Sequence, residues 1–188
     1  MREHPRARRT VIGALVLAAG IGLSGTAVAA TAESGPSKAA RAAWAESAAP
    51  GTPCSVSVRA CVDLETRQAW LVDKGKVVRG PLRVTIGGKG QETPVGHSFR
   101  VYRKERDHRS GEYKGPDGRP ARMPYTVFFA DGGVAFHGGN LNRASAGCVK
   151  LGPKDAPAFF DFLQVGDKVQ VVHGSVERKE RAKAHGGR

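Results

Sequence analysis

At 188 residues the chain has room for one domain of ordinary size rather than two. Its 40% hydrophobic content supports a real core, and 25 glycines and 11 prolines imply many turns. The formal charge of +13 points to a polyanionic neighbour, but the basic residues are not interleaved with aromatics and no nucleic-acid reading element is present, which excludes a nucleic-acid domain.

The N-terminus reads as a secretory signal peptide over residues 1–29. Arg2, Arg6, Arg8 and Arg9 form a basic region, residues 11–23 are apolar, and Ala27-Val28-Ala29 supplies small residues suited to a signal peptidase. The Arg8-Arg9 pair leaves both the general and the twin-arginine routes open. An uncleaved anchor is the competing reading, yet the apolar run falls short of the ~20 residues that span a bilayer, so no stable membrane span is expected after processing. Cleavage leaves a net charge of +10.

Residues 30–51, rich in Ala, Ser, Gly and Pro, read as a linker in which a short helix would bury little, with Trp44 alone arguing for docking. Three cysteines in an oxidising compartment leave one over after pairing. The economical pairing is Cys54 with Cys61, which leaves Cys148 a free thiol; a bond from Cys148 to either of the others is the alternative. Neither CxxC spacing nor a His/Cys cluster suggests a metal site.

From Ser55 onward the pattern becomes short β-branched and aromatic runs cut by turns. Strands are expected around Cys61-Val62-Asp63-Leu64, residues 68–72, Val77-Val78, residues 82–86, residues 98–102, residues 125–129, Val134-Ala135-Phe136 and residues 169–172. Residues 103–120, charged and glycine-rich, read as a long irregular loop, either a functional lid or a mobile surface loop. One helix is expected after Pro153, because Ala156, Phe159, Phe160 and Leu163 fall on one apolar face. The expected architecture is mainly β, a twisted β-sandwich or partly closed barrel with one packed helix, spanning 52–173. Residues 174–188 read as a basic disordered tail, through which anionic cell-wall polymers become possible partners.

The chemistry concentrates between Phe136 and Lys150. His137 and Cys148 stand 11 positions apart with glycines beside both. A cysteine becomes a strong nucleophile as thiolate, and a nearby imidazole can take its proton. This pattern points to cysteine acyl transfer.

These residues also carry a resemblance. Phe136-His137-Gly138-Gly139 followed by Ser145-Ala146-Gly147-Cys148-Val149-Lys150 resembles the signature of the L,D-transpeptidase catalytic domain (YkuD-type). Thr93-Pro94-Val95-Gly96-His97-Ser98-Phe99 is similar to its T-P-x-G-x-F segment, and Met123-Pro124-Tyr125 to the approach to its histidine strand. The resemblance covers about residues 52–172, in family order. It departs at Ala146, where the family usually has histidine, at Lys150, where it has arginine or asparagine, and in the short His-to-Cys interval.

The resemblance implies Cys148 as nucleophile and His137 as its base, with Ser145 orienting the imidazole. It implies that Gly138 and Gly147 let the backbone approach substrate, that N–H groups around Gly147 and Cys148 hold the oxyanion, and that Met123, Tyr125 and Lys150 contact substrate. The implied reaction joins peptidoglycan stem peptides: Cys148 acylates on residue three of a tetrapeptide stem, D-alanine leaves, and an amine of a second stem accepts the acyl group as a 3→3 cross-link. No metal or organic cofactor is implied, and the family is acylated by carbapenems. Water as acceptor would make an L,D-carboxypeptidase, and an inactive wall-binding module is the non-enzyme alternative. A sortase would want a longer His–Cys interval and its own arginine, and NlpC/P60 peptidases place cysteine before histidine.

Overall fold

A computed structural model describes residues 35–115 and 117–186. The expected signal peptide, and the first residues of the expected linker, lie outside them. Two sheets form the body. The first runs β3-β2-β1-β9-β4, built from β1 (Ala60–Asp63), β2 (Gln68–Asp73), β3 (Lys76–Arg83), β4 (Gly96–Arg100) and β9 (Lys168–Val172). The second runs β5-β6-β7-β8, from β5 (Arg103–Lys114), β6 (Pro120–Ala130), β7 (Val134–Gly138) and β8 (Val149–Leu151). The molecule is mainly β, as expected.

Both faces of the first sheet are covered, which explains why β1 is buried at all four positions instead of alternating. Val62, Leu71 and Val171 face Phe129, Phe136, Phe159 and Leu163 in the main core. Cys61, Trp70 and Val172 point the other way into a smaller core that includes Cys54. There the Cys54–Cys61 disulfide joins the chain preceding β1 to β1 itself, and Cys148 is the free cysteine. The expected helix is α2 (Asp155–Phe162), whose Ala156 and Phe159 are buried against the second sheet.

Three expectations are corrected. The segment read as linker does hold the short helix allowed there, α1 (Lys38–Ala45, with N-cap Ser37 accepting the Ala40 N–H at 3.1 Å), but that helix is docked, through the Trp44 that argued for docking. The segment read as a disordered tail carries α3 (Gly174–Gly186). Its first backbone N–H groups are received by Asp63 (from Gly174, 3.1 Å) and Glu65 (from Ser175, 2.7 Å), carboxylates placed where the helix dipole favours them. The two helices meet at Glu177, which is 2% exposed. It accepts Trp44 Nε1–H at 3.1 Å, bonds His97 Nε2 at 2.6 Å and pairs with Arg181. Composition hid this clasp because each helix alone buries little; a single acidic side chain and one tryptophan decide it.

The third correction concerns 103–120. Residues Arg103–Lys114 are a 12-residue strand paired antiparallel to β6, with Arg103 opposite Phe128 and His108 opposite Met123. Its apolar contacts come from cations on aromatic faces: Arg103 lies 4.0 Å over Phe128, and Arg106 5.0 Å over Phe160. A strand stabilised this way shows no alternation of apolar residues.

Candidate active site

Phe136 fixes the orientation of the site. Its ring is buried among Phe129 and Phe159, at centroid distances of 4.7 and 5.1 Å. Strand alternation therefore turns Ala135 and His137 to the opposite face of β7. The parallel register pairs Phe136 with Val149 and His137 with Lys150. Val149 joins the core beside Phe136, so Cys148 and Lys150 share the outer face with His137.

His137 is 7% exposed. Its Nδ1 lies 2.9 Å from the Gly138 carbonyl, an oxygen that can only accept. The Nδ1–H tautomer is thereby selected and the Nε2 lone pair is left as the base. Burial pulls its pKa below the ordinary imidazole value, and the charges of Lys150 and His108 act in the same direction against the Gly138 carbonyl. Cys148 is partly exposed, and its thiol donates to the Gly133 carbonyl at 3.8 Å. Burial pushes its pKa up, opposed by the Ala135 N–H and Lys150 and assisted by Glu112. Among the described residues no hydrogen bond joins His137 to Cys148. Burial thus disfavours the charged form of both groups, the imidazolium and the thiolate alike; hydrogen bonds between such groups often tighten only with substrate present.

The turn that delivers Cys148 closes on itself. Ser145 Oγ donates to the Cys148 carbonyl and accepts the Gly147 N–H at 3.2 Å. The expected Ser145–His137 bond is replaced by this local one, because the backbone groups of a four-residue turn are nearer than the imidazole. Gly147 has φ +108°, a conformation that favours glycine. Its N–H is engaged by Ser145, whereas the Cys148 N–H has no acceptor among the described residues. The turn is moored to the first sheet's trailing segment: Ser145 N–H donates to Ile86 O and Gly88 N–H to Ser145 O, both at 3.0 Å.

Gly138 sits in a tightly packed place. A Cβ there would sit 3.1 Å from Pro124 and 3.2 Å from Ala156, so the glycine permits β6 and α2 to pack rather than substrate to approach. Tyr125 packs edge-on to Phe160 of α2 at 5.9 Å and lies 5.3 Å beneath Arg106, while Met123 is buried at 9% exposure. Lys150 Nζ donates to the Arg143 and Ala144 carbonyls at 2.6 and 3.1 Å, holding the loop before the turn. The structure thus gathers His137, Ser145, Gly147, Cys148 and Lys150, and commits Tyr125 to packing.

Residues 87–92 lie between the strand expected at 82–86 and the segment that begins at Thr93. Gly87 is so enclosed that a Cβ would collide with the Gln91 carbonyl, and its N–H donates to Thr93 Oγ1 at 2.9 Å. Gln91 reaches Tyr113 near the end of β5 through a side-chain hydrogen bond. The Gly87-Gly88 pair was the available sign that another backbone passes close by.

With this geometry, the match to known proteins is specific. A sequence model described as the L,D-transpeptidase catalytic domain matches residues 57–171. The chain belongs to that family. Among solved L,D-transpeptidases, one from Stackebrandtia nassauensis is 32% identical with a TM-score of 0.53, over 60% of this chain and 54% of the other. A second, LdtMt1 in complex with imipenem, is 26% identical with a TM-score of 0.54, over 62% of this chain and 59% of the other. L,D-transpeptidase 1 of Mycobacterium tuberculosis is 28% identical with a TM-score of 0.51, over 60% of each chain. This L,D-transpeptidase domain thus spans somewhat more than half the length of these relatives. Among curated proteins none matches the chain.

Proposed function

We propose that the chain is an exported L,D-transpeptidase that forms 3→3 cross-links between peptidoglycan stems through a Cys148 thioester, with His137 as base. The observation that carries this reading is the free thiol of Cys148 and the unengaged Nε2 of His137 on one face of adjacent parallel strands in a chain of this family. The Sγ proton passes to Nε2 as the sulfur attacks the carbonyl carbon of residue three of a tetrapeptide stem. The resulting oxyanion lies against the Cys148 N–H; losing such a donor typically costs ~3 kcal/mol. The imidazolium returns the proton to the departing amine of D-alanine, leaving the thioester. An amine of a second stem then attacks, gives its proton to Nε2, and expels the thiolate.

Export is supported by the basic-then-apolar N-terminus and by a disulfide, which persists in oxidising compartments. The exposed cations of α3 support contact with anionic wall polymers.

Incubating purified protein with tetrapeptide stems and analysing the muropeptides tests the reaction. The expected product is a 3→3 dimer, absent with Cys148→Ala. Tripeptides without dimers would establish a carboxypeptidase, and unchanged stems a binding module. Incubation with a carbapenem is expected to add one acyl mass at Cys148, and an adduct that survives Cys148→Ala would reject the nucleophile assignment.

A further inference from the structure

Lys150 is held more tightly than a surface lysine. Its backbone N–H donates to Thr85 O at 2.7 Å and its carbonyl accepts Thr85 N–H at 3.1 Å, so the residue is pinned between β7 and the segment after β3. Its side chain crosses Gly139, where a Cβ would come within 2.9 Å of the Lys150 Cδ. Beyond that crossing the ammonium meets the carbonyls of Arg143 and Ala144, the last two before the Ser145 turn. The second glycine of His137-Gly138-Gly139 therefore serves the lysine's path.

Taking Cys148 as the nucleophile proposed above, we propose that Lys150 is a positioning residue for the reaction. Bound to the Arg143 and Ala144 carbonyls, and on the same sheet face as His137 and Cys148, its ammonium staples the Ser145 turn in place and supports the Cys148 thiolate as a fixed cation. The Sγ–H bond breaks, the proton passes to His137 Nε2 or to solvent, and the negative sulfur is left on the same sheet face as a cation held in place by the Arg143 and Ala144 carbonyls. A fixed cation favours the deprotonated form of both partners, so it keeps the imidazole a base while assisting the thiol to ionise. An imidazolium gives the second effect only by giving up the first.

The other groups around the pair are few. Cys148 bonds Gly133 O and is approached by the Ala135 N–H, while the more distant charge of Glu112 on β5 opposes ionisation. His137 bonds Gly138 O and feels the charge of His108 on β5, which is itself bonded to Glu105. Arg143 lies beside Lys150 and, with burial, lowers the lysine's own pKa. Lys150 is the one cation acting on both His137 and Cys148 among the described residues.

Alkylation of Cys148 by iodoacetamide, followed by intact mass across pH, reads the thiolate without any peptidoglycan substrate. Lys150→Gln retains N–H donors for the two carbonyls and removes the charge. It is expected to slow alkylation at neutral pH about three- to tenfold, a shift of roughly half to one pH unit, with Lys150→Arg returning toward the wild-type profile. A wild-type profile in Lys150→Gln, or an Arg variant as slow as Gln, overturns the electrostatic role. Amide exchange at Gly88 and Ser145 reads the staple separately, and is expected to speed up in Lys150→Met and less in Lys150→Gln. Unchanged protection in Lys150→Met overturns it. Should Lys150→Gln melt early, the Arg variant against wild type still decides: a folded Arg variant with the exchange of wild type and a displaced alkylation profile rejects the fixed-charge role, and a matching profile supports it. Failure to make 3→3 dimers with the expected alkylation profile would sink the transpeptidase reading and leave this one standing.

Discussion

A buried imidazole and a partly buried thiol set the pH response of the site. The His137 pKa is depressed in the folded chain by burial, so between that value and the ordinary imidazole value the unfolded chain binds more protons. The stability associated with His137 is complete above the ordinary value and is lost as pH falls toward the depressed one. Thermal melts are expected to fall between about pH 7 and about pH 5 in wild type, and to fall less in His137→Gln. The thiol is displaced upward, so iodoacetamide reactivity should keep rising with pH beyond the ordinary thiol range. Ser145→Ala removes a donor and an acceptor from one turn and is expected to cost about 1–2 kcal/mol in a melt. It should slow acylation while leaving the pH profile of His137 in place, because the hydroxyl does not bond the imidazole. Gly147→Ala forces a Cβ onto φ +108° and is expected to cost about 1–3 kcal/mol, with loss of acylation.

The elements at either end of the domain make a different kind of statement. The α1–α3 clasp closes on Glu177, whose loss would strand Trp44 Nε1–H, His97 and the Arg181 guanidinium. Glu177→Ala is expected to cost about 3–5 kcal/mol, as breaking a buried pair does. Removing residues 174–188 should lower the melting temperature and uncover the smaller core, whereas deletion of a solvated tail would leave it unchanged. β5 carries the complementary lesson: a run of Arg, Lys, Glu and Asp makes a paired strand when guanidinium groups lie on Phe128 and Phe160. Patterning arguments read apolar alternation, and these two elements are stabilised by paired charges and stacked cations instead.

At the scale of the molecule, the strands other than β5 and β8, α2, the free thiol and the disulfide partners were legible because their signals are local. Val, Ile and aromatic runs alternate over a few residues, the α2 face repeats with helical spacing, and Cys54 and Cys61 are seven positions apart. His137 and Cys148 were also legible, since motif order survives in one dimension. What each neighbour does was not. Ser145 bonds its own turn, Gly138 admits Pro124 and Ala156, and Lys150 grips two loop carbonyls, all of which depend on distances between segments. The sequence by itself determined the family and the mainly β class, and it pointed to His137 and Cys148 as the proposed reacting pair. Only the tertiary structure decided the directions in which the pKa values of His137 and Cys148 move, the docking of α1 and α3, and the hydrogen-bond partners of Ser145 and Lys150. Burial, charge and hydrogen bonding at the site come from segments far apart in the chain, and their effects appear only when folding sets the distances.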